Sequence, residues 1–175
     1  VVVGNNFLFI HVPKVAGNSI RKALFPAETY KPNHCPLFQA PSEFREYFTF
    51  GFVRNPWDRV CSLYHFRSQS WICAREKELK RLNDDGFEKS LLGQGIGPNQ
   101  QDAMYWLEGC DYIGRYESLQ DDFNHVCNMI GINHITLDRI NPSVHEDYRS
   151  YYSQEMIDFV AEKHKRTIEL FDYTF

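Results

Sequence analysis

The chain has 175 residues, 43% hydrophobic and 24% charged, which fits one soluble globular domain over residues 1–175 with a substantial core. Its net charge of −4 argues against nucleic acid or any other extended polyanion as a partner, so an anion site must be local, built from particular Lys, Arg and backbone N–H groups. The five cysteines (Cys35, Cys61, Cys73, Cys110, Cys127) have no zinc-like spacing, so no metal site is expected, and their odd number suits free thiols in a reducing compartment, with the cytoplasm as the expectation.

The opening VVVGNNFLFIHV is apolar but too short to span a membrane and lacks a basic leader region, so it reads as strand rather than transmembrane segment. Residues 7–12 form a continuous β-prone run suited to burial on both faces, ended by Pro13. Asn18 or Ser19 is expected to cap a helix carrying Ile20, Ala23 and Leu24, which Pro26 stops. The proline-rich stretch 26–43 reads as a loop or lid, and residues 48–53 (FTFGFV) as a second buried strand. RNPWDRVCSLYHF then turns into a helix with Asn55 as cap and Pro56 in its first turn.

Residues 75–90 suggest a charged surface helix ending near Gly86, and LLGQGIGPNQQ a glycine-rich connection. A helix is expected over about 100–108 and a short strand over 111–116, before SLQDDFNHVCNMIG forms a helix ended by Gly131. A last helix is expected from Ser153 to about Leu170. Strands alternating with helices predict an α/β fold, a three-layer sandwich with a central parallel sheet flanked by helices. The aromatic content of 15% reads mainly as ring-rich core. There is no signal of oligomeric state.

Two stretches point to anion chemistry. In FIHVPKVAGNSIRKAL a strand runs through Lys14 into a short turn and a helix, so the backbone N–H groups of residues 15–19 and the positive helix end form a phosphate-type cradle. Lys14 precedes Gly17, the reverse of the Walker order, and no Lys-Ser/Thr pair is present for Mg-nucleotide. In the second stretch Arg54 ends a strand and Ser62 follows two helical turns on, a fork and a hydroxyl for one phosphate. A structural Arg54 paired with Asp58 is the competing reading. Two such strand ends suit a ligand with two separated phosphate-like groups.

PKVAGNS followed by VRNPWDRVCS resembles the 5′-phosphosulfate loop and 3′-phosphate site of sulfotransferases that use 3′-phosphoadenosine 5′-phosphosulfate (PAPS), most closely the carbohydrate-type branch with its small bacterial and Golgi members. DYIGRYESLQDDFNHVC, INPSVHEDYRSYYSQE and IELFDYTF resemble later blocks of the same family, so the likeness spans nearly the whole chain. Val15-Ala16 stands where Thr-Gly is commoner and Asn18 where Thr is usual, which keeps the backbone donors and removes one hydroxyl. The resemblance implies a P-loop-like fold and in-line, metal-independent transfer of a sulfuryl group from PAPS to a hydroxyl of a carbohydrate or other small acceptor, with adenosine 3′,5′-bisphosphate as product. A lumenal catalytic domain is the alternative setting it implies.

On that reading Lys14 is the catalytic cation, Lys14, Val15, Ala16, Gly17, Asn18 and Ser19 hold the 5′-phosphate, and Arg54 and Ser62 hold the 3′-phosphate. His34, placed where related carbohydrate enzymes carry a histidine, is the first candidate for general base, with Glu43, Glu46 and Asp102 as carboxylate alternatives. Tyr148 and Arg149 are expected to close over the nucleotide. His11 reads as a satisfied buried histidine and His65 as packing; Trp57 reads as core, with shelter for the adenine as its alternative. A nucleotide-binding protein without turnover and a P-loop kinase are the competing functions, the kinase being disfavoured by the order around Lys14.

Overall fold

A computed structural model describes residues 2–4, 6–26, 34–44, 46–68, 86–93, 100–140 and 145–175. The chain divides into two compact units, each assembled from two stretches of sequence: Val1–Arg54 with Ala103–Asn141, and Asn55–Asp102 with Pro142–Phe175.

The first unit is built on a sheet of β1 (Val2–Val3), β2 (Phe7–Ile10), β3 (Phe48–Val53) and β4 (Tyr112–Arg115), in that spatial order. β2, β3 and β4 are parallel, with Phe9 opposite Phe50 and Phe50 opposite Tyr112. The predicted parallel sheet therefore holds for its three main strands, while β1 is an antiparallel edge. All four residues of β2 are buried, as the unbroken apolar run requires of a strand covered on both faces. The strand stops at Ile10 instead of reaching residue 12, because the Val12 amide bonds back to Ile10 O at 3.2 Å and turns the chain out of the ladder.

Helices lie on opposite faces of this sheet. A Cβ on Gly51 would meet the Leu107 side chain of α4 (Ala103–Leu107; α1–α3 are Gly17–Leu24, Pro56–Ser68 and residues 86–93), whereas one on Gly114 would lie 3.0 Å from Asp122 Cβ of α5 (Leu119–Ile130). Gly114 is paired with Phe52, the strand neighbour of Gly51, so the two glycines point to opposite faces. The unit is thus three-layered. Asp122 ties β4 to α5, accepting from Tyr112 Oη at 3.0 Å, the Arg115 amide at 2.6 Å and Ser118 Oγ at 2.8 Å. Gly131 ends α5 as expected, in the left-handed region at φ 74°.

The second unit is helical in its described residues: α2, α3, α6 (Gln154–Lys163) and α7 (Lys165–Phe171), with a 3-10 turn at Tyr148–Tyr151. Asn55 caps α2, its Oδ1 accepting from the Trp57 amide at 3.1 Å and the Asp58 amide at 3.3 Å. Trp57 is core: its Nε1 donates to Ile157 O at 3.1 Å and its ring meets Phe175 edge-on. Ser153 caps α6. The single closing helix expected to Leu170 is broken at His164, whose φ of −115° leaves the helical region; the new start at α7 is secured by Asp102, which accepts from Thr167 N and Oγ1 at 3.1 and 2.6 Å.

Residues 86–93 are helical, whereas the helix end was expected near Gly86. The helix expected over 100–108 is confined to Ala103–Leu107. Most of the charged stretch 75–90, residues 94–99 of the glycine-rich connection, residues 27–33 of the proline-rich stretch and Cys73 lie outside the described residues. The four described cysteines form no disulfide. Among the described residues no helix is long and apolar enough to cross a membrane, and no group of three or more His, Cys, Asp or Glu is placed to hold a metal ion.

Candidate active site

The turn after β2 is shaped by two residues in the left-handed region, Lys14 at φ 67° and Ala16 at φ 62°. Such a conformation is costly for residues with a side chain, so the surrounding structure must hold it. Ala16 replaces the expected Asn18 or Ser19 as the residue capping α1, and no side chain caps the helix. The left-handed step tightens the turn so that the Ser19 and Ile20 amides donate to Ala16 O at 2.9 and 3.2 Å. Of the amides expected in the cradle, that of Ser19 is therefore engaged within the turn; those of residues 15–18 make no hydrogen bond to the described residues. Ser19 Oγ accepts from the Ile140 amide at 3.3 Å, which leaves the hydroxyl proton for donation.

Arg54, at the end of β3 beside β2, reaches this turn. Its Nη1 donates to Lys14 O at 3.1 Å and its guanidinium lies 4.2 Å over the Tyr116 ring. Arg54 is only 8% exposed, so its charge is presented from a fixed, largely desolvated position. Burial and the Arg54 charge together lower the Lys14 pKa from 10.5 to about 8. The turn thus has two cationic side chains that act on one another.

His34 lies against His11, just before the turn. Its Nδ1 is 2.8 Å from His11 O, and because a carbonyl only accepts, Nδ1 carries the proton and Nε2 keeps its lone pair. Burial pulls the His34 pKa below 6.5, against the opposing effect of the bond to His11 O. The His34 and His11 rings meet edge-to-face at 4.5 Å. His11 is buried, but it is not satisfied as the sequence suggested: its Nδ1 has no hydrogen-bond partner among the described residues. Burial, then His34 and Arg21, lower its pKa to about 3, so it stays neutral. Its ring occupies the space that a side chain at Gly17 would need. The β-prone pattern of residues 7–12 marks His11 only as interior; nothing in it signals contact with the turn.

The turn thus brings together Lys14, Val15, Ala16, Gly17, Asn18, Ser19 and Arg54, with His34 joined to it through His11, all in the first unit. Ser62, Tyr148 and Arg149 belong to the second unit. Ser62 is buried on α2. Arg149 stacks 4.5 Å over the Tyr148 ring and pairs with Asp147 at 3.5 Å. Among the alternative bases, Glu43 and Glu46 are exposed, and the Asp102 carboxylate is taken up by Thr167, which argues against a role in proton transfer. His65 packs between His145 and Tyr151 at 5.0 and 4.8 Å, in keeping with its expected packing role. Tyr116, which fixes Arg54, had no distinguishing sequence signal.

A parallel sheet covered on both faces, with a strained strand-to-helix turn and two cations at neighbouring strand ends, defines an α/β protein of the phosphate-loop kind. The sulfotransferase family model matches residues 3–174, and the chain belongs to that family of transferases. No curated protein and no solved structure matches it significantly.

Proposed function

We propose that the chain transfers a sulfuryl group from PAPS to a hydroxyl of a carbohydrate or other small acceptor, in line and without a metal, as one sulfotransferase domain over residues 1–175. PAPS, when bound, supplies an activated sulfuryl group carried on a 5′-phosphate. The residues of the turn fit such a group: amides of residues 15–18 with no hydrogen bond to the described residues, a hydroxyl proton on Ser19 and the Lys14 ammonium, with Arg54 beside them for a second phosphate. The convergence of Lys14 and Arg54 on this turn is the observation that carries the reading.

In this reading Val15, Ala16, Gly17, Asn18 and Ser19 hold the 5′-phosphate and Arg54 orients the 3′-phosphate. Ser62 for the same 3′-phosphate, and Tyr148 and Arg149 for the nucleotide, are proposed on the family resemblance alone. Lys14 places its ammonium where negative charge develops on the leaving oxygen, which favours the transition state over the ground state. His34 Nε2, with Nδ1–H held by His11 O, accepts the proton of the acceptor hydroxyl.

Incubation with labelled PAPS and a panel of glycans, phenols and small alcohols tests transfer, with thermal shift by adenosine 3′,5′-bisphosphate alongside. Stabilisation by the bisphosphate together with label on an acceptor is expected. Stabilisation by Mg-ATP but not by the bisphosphate would instead support the kinase reading, and tight bisphosphate binding with no transfer the binding-only one.

A further inference from the structure

A row of rings leads outward from the anion turn. The His11 ring lies against Gly17, His34 meets His11 at 4.5 Å, and Trp106 meets His34 edge-on at 6.3 Å. Tyr105 then meets Trp106 at 5.4 Å, and Phe38 meets Tyr105 at 5.5 Å with the planes 81° apart. The inner members are covered, whereas Phe38 is 66% exposed and Tyr105 38%. Neighbouring residues on α4 thus do opposite things: Trp106 is buried toward His34 and Tyr105 stands at the surface. Phe38 comes from the 3-10 turn Leu37–Gln39, which packs against α4. Of the large apolar or aromatic side chains exposed among the described residues, these two form a ring pair, and an exposed apolar pair beside a polar site marks a binding surface.

Its position says what it binds. If His34 takes the acceptor's proton, the reacting hydroxyl must sit between His34 Nε2 and the donor turn, and the rest of the acceptor extends outward past His34 toward the exposed Tyr105 and Phe38. An open two-ring shelf dehydrates one face of its ligand only. That suits a sugar ring, whose C–H face can stack while its hydroxyls stay hydrated; a phenol gains most from an enclosed apolar slot. We propose that Phe38 and Tyr105 form the acceptor platform, stacking on the C–H face of a carbohydrate ring and leading the chain of sugars toward His34. This rests on the reading of His34 as base in a sulfuryl transfer.

Saturation-transfer NMR with neutral, acidic and N-acetylated tetrasaccharides, with 4-nitrophenol for comparison and adenosine 3′,5′-bisphosphate present, tests the platform directly. A tetrasaccharide should show its strongest contacts at sugar C–H protons. Phe38→Ala and Tyr105→Ala should each weaken its binding about five- to tenfold, and Phe38→Trp should restore it, with bisphosphate affinity unchanged within about twofold. Failure of every tetrasaccharide to bind, equal binding by all variants, or binding of 4-nitrophenol alone would overturn the platform. A parallel assay with labelled PAPS separates the two ideas: sugar binding lost in the variants but no transfer by the natural chain refutes the sulfotransfer reading and leaves the platform standing.

Discussion

Replacing Gly17 by alanine should damage the turn after β2 through a single, identifiable contact. Gly17 is the first residue of α1 and has ordinary helical geometry, so alanine would by itself favour the helix by up to about 1 kcal/mol. The Cβ, however, would overlap Cδ2 and Nε2 of His11 and lie 2.7 Å from its Cε1. The His11 ring has little room to yield, with Phe9 stacked at 5.8 Å and His34 at 4.5 Å. Overpacking of this kind costs about 1–3 kcal/mol, more than the helix gains, so a net loss of about 1–2 kcal/mol is expected in urea unfolding. Because the turn must open to relieve the clash, bisphosphate affinity by calorimetry should fall as well.

The double-mutant cycle with His11→Ala identifies the cause. Removing the buried ring alone leaves a cavity, partly offset by removal of a buried Nδ1 without a hydrogen-bond partner among the described residues. In Gly17→Ala/His11→Ala the new methyl enters vacated space, so the double variant should be less destabilised than the summed singles by at least about 1 kcal/mol, and should recover bisphosphate binding relative to Gly17→Ala. A wild-type urea midpoint and affinity for Gly17→Ala, or additivity within about 0.5 kcal/mol, would refute the reasoning.

Anion binding favours protonated Lys14, so its pKa must rise from about 8 on binding; calorimetry at pH 8 in buffers of different ionisation enthalpy should show proton uptake, absent in Lys14→Ala, and affinity should weaken as pH rises through that value. Lys14→Ala should lower kcat far more than it weakens bisphosphate binding, as equilibrium titration beside initial rates will show. The base must be unprotonated, so the acid limb of kcat/KM should lie below pH 6.5, and His34→Ala should abolish transfer with bisphosphate binding intact; near-normal rates would remove His34 as base. Asp122→Ala leaves three donors without their acceptor and should cost about 2–4 kcal/mol in urea unfolding; a loss below about 1 kcal/mol would show that this junction contributes little.

The strands were legible because burial on both faces leaves an unbroken apolar run, as in FLFI and FTFGFV, and helix α5 because its spacing and terminal Gly131 agree. The cap of α1 was not, because it depends on a left-handed alanine, a conformation that no local preference signals and that the tertiary structure imposes. The break at His164 was equally hidden: helical periodicity runs through it, and the restart depends on Asp102, 65 residues away from Thr167. In the candidate site, Lys14 and Arg54 could be picked out as cations at strand ends. Their meeting depends on β2 and β3 being parallel neighbours, which only the sheet order decides. Contacts among rings, such as His11 with His34 and Trp106, leave no periodic trace at all.

The placement of Lys14 before the glycine follows from the same geometry. A left-handed lysine costs roughly 1–2 kcal/mol, and in return its carbonyl is turned to where Arg54 Nη1 can donate to it. That bond holds a second cation beside the first and adds to the burial that lowers the Lys14 pKa, so the turn carries both backbone strain and like-charge repulsion. The repulsion does not serve the stability of the fold, since an alanine or a neutral partner at these positions would avoid it. On the proposed reading the repulsion is offset when the donor's two phosphate groups sit one at each cation. On the proposed reading the turn is organised around negative charge, and the part of that charge that grows only as a bond to the leaving oxygen breaks is the part Lys14 would favour.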